Sequence, residues 1–189
     1  MKVILISGSP RPKGNTMLSL QTCAKVLEEE GLEAKIVSLA GKTIRSCVAC
    51  GACNRQGFCV LEDDFAPIEK EVREAEGLIV GAPVYFGTAR GEMMSLLQRL
   101  GKVAFANDHY LSGKIGGPVA VGRRGGHTAT IQEMLMFYFI NGMTVPGATY
   151  WNMVFGGPEG EALEDEEGQK TLQNFAANVA KLIKLQYGK

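Results

Sequence analysis

The sequence has no excess of charge of either sign, since 20 Lys and Arg residues balance 20 Asp and Glu residues. It contains no basic run and no arginine-rich or aromatic RNA-binding signature, so we expect no nucleic-acid partner. Its apolar runs are short and broken by Gly or Pro, which predicts no transmembrane helix. The first of them, Val3–Ile6, is too short for the hydrophobic core of a signal peptide. These absences predict a cytoplasmic protein with no membrane partner.

Several catalytic and nucleotide-binding motifs are missing as well. There is no nucleophile elbow, no HExxH zinc motif and no carboxylate pair whose spacing suggests hydrolysis. No GxGxxG fingerprint for a dinucleotide occurs. Gly8 and Gly14 are separated by five residues and followed by Asn15, whereas a Walker A loop needs four residues and then a lysine. The sequence therefore lacks the usual signatures of hydrolases, P-loop proteins and dinucleotide-binding folds.

The pattern of apolar residues predicts strands alternating with helices along the chain. Short aliphatic runs bounded by Gly and Pro are typical of buried strands, and apolar residues spaced by three or four are typical of helices. The predicted strands are Val3–Ser7, Leu32–Leu39, Leu78–Val80, Ile115–Val121 and a weak final one at Met143–Val145. The predicted helices are Thr16–Glu30, Asp64–Ala75, Gly91–Leu100, Thr128–Ile140 and the residues after Gly168.

This alternation predicts an α/β fold with a doubly wound, five-stranded parallel sheet and helices on both faces. We expect one domain over residues 1–189, with a cysteine-rich insertion at about 40–62, where no clear periodicity is present. The segment Gly81–Gly87 is predicted to be a loop, and the acidic stretch Glu159–Glu167 a solvated loop before the last helix. Ligands of such sheets bind at the carboxyl ends of the strands.

The segment between the first predicted strand and helix indicates a phosphate site. It reads Ser7-Gly8-Ser9-Pro10-Arg11-Pro12-Lys13-Gly14-Asn15-Thr16. Free backbone N–H groups and the helix dipole attract a phosphate to a helix start. Ser9, Asn15 and Thr16 can add side-chain hydrogen bonds, and Arg11 can add charge. The alternative is an ordinary strand-to-helix turn that is rich in Gly and Ser.

This loop resembles the opening loop of the NADPH-dependent FMN reductase family, a flavodoxin-like group. The resemblance rests on Ser7-Gly8-Ser9-Pro10-Arg11 and Gly14-Asn15-Thr16. It implies an FMN site that includes Ser7 and in which Ser9, Arg11, Asn15 and Thr16 bind the ribityl phosphate. FMN rather than FAD is expected, because the loop suits one terminal phosphate and no pyrophosphate fingerprint exists.

A second loop, Ala82-Pro83-Val84-Tyr85-Phe86-Gly87, resembles the loop beside the flavin ring in the same family. The resemblance implies that the isoalloxazine is contacted by Pro83, Val84, Tyr85, Phe86 and Gly87. An apolar loop with exposed backbone amides can pack on this ring and bind its polar edge. Taken alone, the two aromatic residues would more simply cap the core.

A third loop, Gly122-Arg123-Arg124-Gly125-Gly126-His127, resembles the family's glycine-rich loop after the fourth strand. It implies cofactor contacts from Gly122, Gly125 and Gly126. Two departures are present: His127 stands where relatives often carry Gln, and Gln98-Arg99-Leu100 replaces Asp-Arg-Leu. Neither change disrupts the expected flavin site, and no catalytic role is assigned to His127.

Four of the five cysteines, Cys47, Cys50, Cys53 and Cys59, lie within 13 residues in the pattern Cys-x2-Cys-x2-Cys-x5-Cys. In a chain that is not secreted, such a block indicates metal or redox chemistry rather than structural disulfides. Soft thiolates suit iron–sulfur clusters, zinc or copper(I), and two-residue spacings let one tight loop bind three corners of a 4Fe–4S cluster. Free or disulfide-forming thiols and structural zinc are the alternatives. Cys23, on the apolar face of the first predicted helix, is expected to be a core thiol.

The cysteine block resembles the iron–sulfur flavoproteins, a branch of the same reductase family, and the similarity continues through Cys59-Val60-Leu61-Glu62-Asp63-Asp64. It implies a homodimer or homotetramer that binds FMN and a 4Fe–4S cluster and transfers electrons between them. The cofactors then carry the chemistry, and no catalytic side chain is expected. NAD(P)H or a redox partner protein is the expected electron source. A cluster-free NAD(P)H-dependent FMN or quinone reductase and a non-enzymatic flavin or thiol redox sensor are the alternatives.

Overall fold

Five parallel strands form the central sheet of the computed structural model, which describes residues 1–188. The strands are β1 (Lys2–Ser7), β2 (Glu33–Ser38), β3 (Gly77–Tyr85), β5 (Ile115–Gly122) and β6 (Met153–Phe155), with the short β4 (Thr88–Ala89) beside β3. They lie in the order β2-β1-β3-β5-β6, and β4 pairs antiparallel with β3. The order changes direction at β1, so the carboxyl ends of β1 and β3 form the switch point where such folds bind ligands.

The helices cover both faces of this sheet. They are α1 (Asn15–Glu29), α2 (Ala52–Gln56), α3 (Phe65–Glu74), α4 (Gly91–Phe105), α5 (His127–Ile140) and α6 (Glu166–Tyr187). Residues of α1 and α6 pack with one face of the strands into one hydrophobic cluster. Residues of α3, α4 and α5 form a second cluster with the opposite face. The predicted α/β fold, with its five-stranded parallel sheet between helical layers, is confirmed.

The prediction of a final strand at Met143–Val145 is wrong. Thr144 makes one isolated bridge to Ile115, at the amino end of β5. Pro146 follows and has no N–H group to continue a ladder of hydrogen bonds. The chain then leaves the sheet and returns at β6, which pairs with Ala120–Gly122 at the carboxyl end of β5.

The predicted loop Gly81–Gly87 is also wrong in part, because β3 continues to Tyr85. Phe86 and Gly87 then form a two-residue turn, with φ of 53° and 85°, and Thr88 pairs with Tyr85 across it. Positive φ at both central residues is the geometry that matches the twist of a tight hairpin. The side chain of Phe86 is fully exposed at the tip of this hairpin.

The acidic stretch before the last helix is more ordered than the predicted solvated loop. It contains a 3₁₀ turn at Glu161–Leu163, and α6 begins at Glu166 rather than after Gly168. Asp165 caps α6 by accepting a hydrogen bond from Gly168 N at 3.0 Å. Within residues 1–188, no helix is both long enough and apolar enough to span a bilayer.

Candidate functional site

A cavity of about 1,100 Å³ opens at the carboxyl edge of the sheet. The start of α1, the end of β3, the loop after β5 and the segment after β6 all contribute to its walls. Of the predicted cofactor residues, the structure brings eight to this cavity: Ser9, Arg11, Asn15, Thr16, Pro83, Val84, Tyr85 and Gly122. Three separate segments of the sequence therefore meet at one site.

The first loop forms one wall of the cavity, and the start of α1 lies in this wall. Gly14 occupies the N-cap position, and no side chain caps this helix. The first N–H groups of a helix have no partner within it, so those of Asn15 and Thr16 are available to an anion. Ser9 Oγ accepts a hydrogen bond from Arg11 N at 3.1 Å, which fixes the turn before the helix. These features suit a phosphate group.

The Asn15 side chain has a structural role that the sequence did not reveal. Its Nδ2 donates to Pro158 O at 2.7 Å, and its Oδ1 accepts from Gly160 N at 2.9 Å. The amide therefore joins the start of α1 to the segment after β6. Asn15 lines the cavity, but its side chain serves mainly to hold two cavity walls together.

Ser7 lies outside the cavity. Its side chain is completely buried and its Oγ has no hydrogen-bond partner. The residue pairs with Ser38 and Gly81 in the neighbouring strands. The structure therefore does not bring the Ser7 hydroxyl to the other predicted ligands.

The hairpin and the glycine-rich loop contribute only in part. Phe86 and Gly87 lie past the cavity wall, as do Gly125 and Gly126. Gly126 instead packs against the hairpin: a Cβ added there would lie 2.8 Å from Gly87 Cα, and its φ of 87° favours glycine. This contact positions the two loops relative to each other.

His127 is a structural residue at the first position of α5. Its ring is buried, and Nε2 lies 3.2 Å from Gly122 O and 3.1 Å from Val154 O. Because both neighbours are carbonyl oxygens, Nε2 carries the hydrogen and donates it. The ring also packs on Phe155 with centroids 4.4 Å apart. His127 thereby ties β5 to β6 behind the cavity.

The outer wall of the cavity is formed by a segment that was not predicted to belong to the site. Phe155, Gly156, Gly157, Pro158, Glu161, Glu164 and Asp165 line it. The Gly-Gly-Pro turn after the apolar run Met153–Phe155 was a signal for a strand ending at the same sheet edge. It was overlooked because the last strand was expected ten residues earlier. Arg123 and Arg124 also line the cavity, and Arg123 lies beside Gly157 of this wall.

A second, smaller cavity of about 150 Å³ is surrounded by the cysteine block. All four predicted ligands, Cys47, Cys50, Cys53 and Cys59, line it. Ala49 and Gly51 have φ of 52° and 69°, so the backbone curls around the cavity. Among residues 1–188, no three His, Cys, Asp or Glu side chains are grouped as ligands of a single metal ion. Four thiols around one small cavity suit a cluster, whose ligands bind separate irons and stand further apart.

Two aspartates close the base of the cysteine loop. Asp63 Oδ2 accepts from Arg45 N at 2.8 Å, and Asp64 Oδ2 accepts from Thr43 N at 2.8 Å. Asp64 occupies the N-cap position of α3, yet its side chain binds the other stem of the loop rather than the helix. These bonds join residues on both sides of the cysteine block, so its ends are fixed.

Arg99 on α4 is the buried cation beside the cysteines. Its Nη1 donates to Asp63 Oδ2 at 2.5 Å and to Arg45 O at 3.1 Å, and its Nη2 donates to Cys59 Sγ at 3.2 Å. Burial by itself raises the pKa of Asp63, but the hydrogen bonds from Arg99 and from two backbone N–H groups outweigh it and hold the pKa below its usual value. Asp63 is therefore an anion paired with the guanidinium.

The fifth cysteine lies apart from the block. Cys23 is fully buried on α1, and burial raises the pKa of its thiol to about 12. A thiol that stays protonated is a poor metal ligand and a poor nucleophile. The prediction that Cys23 is a core thiol is confirmed.

Comparison with known proteins yields one family. The sequence pattern of the family described as NADPH-dependent FMN reductase matches residues 1–157. An iron–sulfur flavoprotein of Methanocaldococcus jannaschii is 39% identical over 98% of this chain and 98% of its own. Another, from Methanosarcina thermophila, is 36% identical over 98% of this chain and 96% of its own.

A solved structure supports the fold. The flavodoxin, WrbA-like protein from Agrobacterium tumefaciens superposes with a TM-score of 0.69 at 15% identity, over 97% of this chain and 98% of that one. Likeness at this identity concerns the fold alone. It agrees with the strand order and helical layers described above.

Proposed function

Since the chain belongs to the iron–sulfur flavoprotein branch of the NADPH-dependent FMN reductase family, we propose that it transfers electrons between FMN and a 4Fe–4S cluster. The chain is a flavin-dependent oxidoreductase, as its family is. The observation that carries the finer proposal is the cysteine cavity, because all four block cysteines line one space of about 150 Å³. A block of free surface thiols would not need such a space.

The larger cavity is the proposed FMN site. The free N–H groups at the start of α1, Ser9 and Thr16 would hold the phosphate, and Arg11 would add positive charge. Pro83, Val84 and Tyr85 would contact the isoalloxazine. Gly122 and the outer wall after β6 would complete the enclosure. Because Ser7, Phe86, Gly87, Gly125 and Gly126 do not line this space, we propose that none of them contacts the flavin directly. Gly87 and Gly126, which pack together, would support the loops around it.

When bound, FMN would take up two electrons together and release them one at a time, and the cluster would carry one electron at a time. The chain's own contribution is to bind both groups, to orient the ring and to limit the access of water. The two cavities share no lining residue. Electron transfer would therefore cross the protein between them, within one subunit or across a subunit boundary.

NAD(P)H or a redox partner protein is the proposed electron source. Arg123 and Arg124 line the larger cavity and can attract an anionic donor. A cluster-free reductase is the main alternative, and it would use the same FMN cavity. The cysteine cavity distinguishes the two functions, so the test is directed at it.

The decisive experiment is anaerobic purification and reconstitution, followed by counting iron, sulfide and flavin per chain. We expect about four irons and about four sulfides per chain. Low-temperature EPR of dithionite-reduced protein should show a reduced-cluster signal. Substitution of Cys47, Cys50, Cys53 or Cys59 by Ala should lower iron content while FMN content is retained. The matched control is Cys23→Ala, which should change neither cofactor.

Three outcomes would contradict the proposal. Iron-free protein with full FMN and undiminished NAD(P)H oxidation would favour the cluster-free reductase. Equal iron loss in Cys23→Ala and in the block variants would mean that the block is not the binding site. Release of FAD rather than FMN on denaturation would contradict the proposed flavin.

A further inference from the structure

Arg99 is a charged side chain in an unusual place. Only 1% of it is exposed, and its guanidinium lies 4.1 Å from the centre of the Phe65 ring. A buried arginine is costly unless its N–H groups and its charge are matched by partners. Asp63, whose side chain is also 1% exposed, supplies the counter-charge. The position of Arg99 is therefore fixed from several sides.

The remaining partner of Arg99 is a sulfur atom. Nη2 donates to Cys59 Sγ at 3.2 Å. A neutral thiol is a weak acceptor, whereas a thiolate accepts a strong, charge-assisted hydrogen bond. The guanidinium thus places an N–H donor and a positive charge beside the Cys59 sulfur, which would be a negatively charged thiolate when it binds iron. Arg99 also lines the cysteine cavity itself.

We propose that Arg99 is a positioning residue that holds Cys59 as the fourth cluster ligand and raises the reduction potential of the cluster. The inference rests on the proposed function, because it needs a cluster in the cysteine cavity. Hydrogen bonds to ligand sulfurs and nearby charge are among the factors that set cluster potentials. Reduction adds one electron and hence one negative charge, which a fixed guanidinium stabilises without accepting or releasing a proton.

The contribution of Asp63 follows from the same geometry. It binds Arg99 Nη1 and, through Arg45 N, the stem that leads to Cys47. Cys59 is separated from the other three cysteines by the end of α2 and a turn, so its position needs a restraint from outside the block. Arg99 supplies it from α4, a helix packed in the core.

The test is an EPR-monitored reductive titration of reconstituted protein with dithionite, together with the rate of iron loss to a chelator. In Arg99→Lys the charge remains, but the planar fork that binds Asp63 and Cys59 together is lost. We expect the equilibrium constant for reduction to fall about tenfold, which corresponds to about 59 mV for one electron. Iron loss should be about tenfold faster. Arg99→Gln should show a larger shift, because it loses the charge as well.

Lys102→Gln is the matched control. Lys102 lines the same cavity but is exposed, so its charge is screened by water. The equilibrium constant for reduction should therefore change less than twofold. If Arg99→Lys titrates like wild type, or if Lys102→Gln shifts the potential equally, the role assigned to Arg99 is wrong.

A second variant keeps the test valid if the Arg99 variants do not fold, as judged by circular dichroism and FMN content. Asp63→Asn leaves Arg99 in place but removes its counter-charge and restraint. It should accelerate iron loss severalfold, and an unchanged rate would overturn the inference. Wild-type protein that takes up no iron would instead refute the proposed function itself, and the role of Arg99 with it.

Discussion

Replacement of Ser9 by alanine tests the first loop most directly. Ser9 Oγ is buried in the cavity wall and accepts the Arg11 N–H at 3.1 Å. The substitution removes this neutral hydrogen bond, which is worth about 0.5–1.5 kcal/mol of stability. For a chain of this length, each kcal/mol of lost stability lowers Tm by about 2–4 °C. Folding should therefore survive, and the effect on FMN can be measured.

The effect on FMN should be larger than the effect on stability. A hydrogen bond to a charged group is worth about 1.5–3 kcal/mol. Since each 1.4 kcal/mol is about a tenfold change in Kd, Ser9→Ala should weaken FMN binding roughly 10- to 100-fold. Fluorescence titration of flavin-free protein with FMN measures the Kd. Riboflavin, which lacks the phosphate, should bind the variant and the wild type alike.

Ser38 provides a matched control for this experiment. It ends the adjacent strand β2, and its Oγ accepts the Ala40 N–H at 3.1 Å in the same two-residue arrangement. Ser38 does not line the larger cavity. Ser38→Ala should lower Tm by a similar amount while the FMN Kd stays at the wild-type value. An unchanged Kd in Ser9→Ala, or an equal loss in both variants, would refute the assignment of the first loop to the phosphate.

Two further predictions concern the loops around the cavity and the assembly of subunits. Gly126→Ala should lower Tm and FMN occupancy, because the added Cβ would lie 2.8 Å from Gly87 Cα and φ at this position is positive. The control is Gly125→Ala, whose Cβ would have open space, and it should change neither quantity. Thermal melts and flavin absorbance decide between these outcomes. The protein should sediment as a homodimer or homotetramer. Phe139 and Ile140 are exposed on α5, and we expect the contact between subunits to bury them. A monomer at micromolar concentration, or an Ile140→Glu variant with unaltered assembly, would contradict this surface.

The sequence was most informative where the signal is carried by neighbouring residues. Apolar periodicity identified β1, β2, β5 and the helices around them, because alternation and helical spacing are properties of a contiguous segment. The cysteine block was recognisable for the same reason: ligand spacing within 13 residues restricts how one loop can surround a metal group. The first loop likewise combines a strand end, small residues and a helix start.

Tertiary structure decided the features that join distant segments. The last strand is β6 rather than the expected Met143–Val145, because pairing depends on where the chain returns to β5 and not on local propensity. Asn15 looked like a phosphate ligand, but its partners are more than 140 residues away. No local sequence pattern indicates such a contact.

Arg99 illustrates the same limit at the cysteine site. In the sequence it belongs to an ordinary amphipathic helix, 40 residues from Cys59 and 36 from Asp63. Folding brings these three side chains together because α4 packs against the cysteine loop in the core. Local sequence thus determined which groups could bind a cofactor, whereas the packing of sheet and helices determined which side chains surround and restrain them. The physical reason is that burial, charge pairing and sulfur hydrogen bonds depend on distances in space, which separation along the chain does not encode.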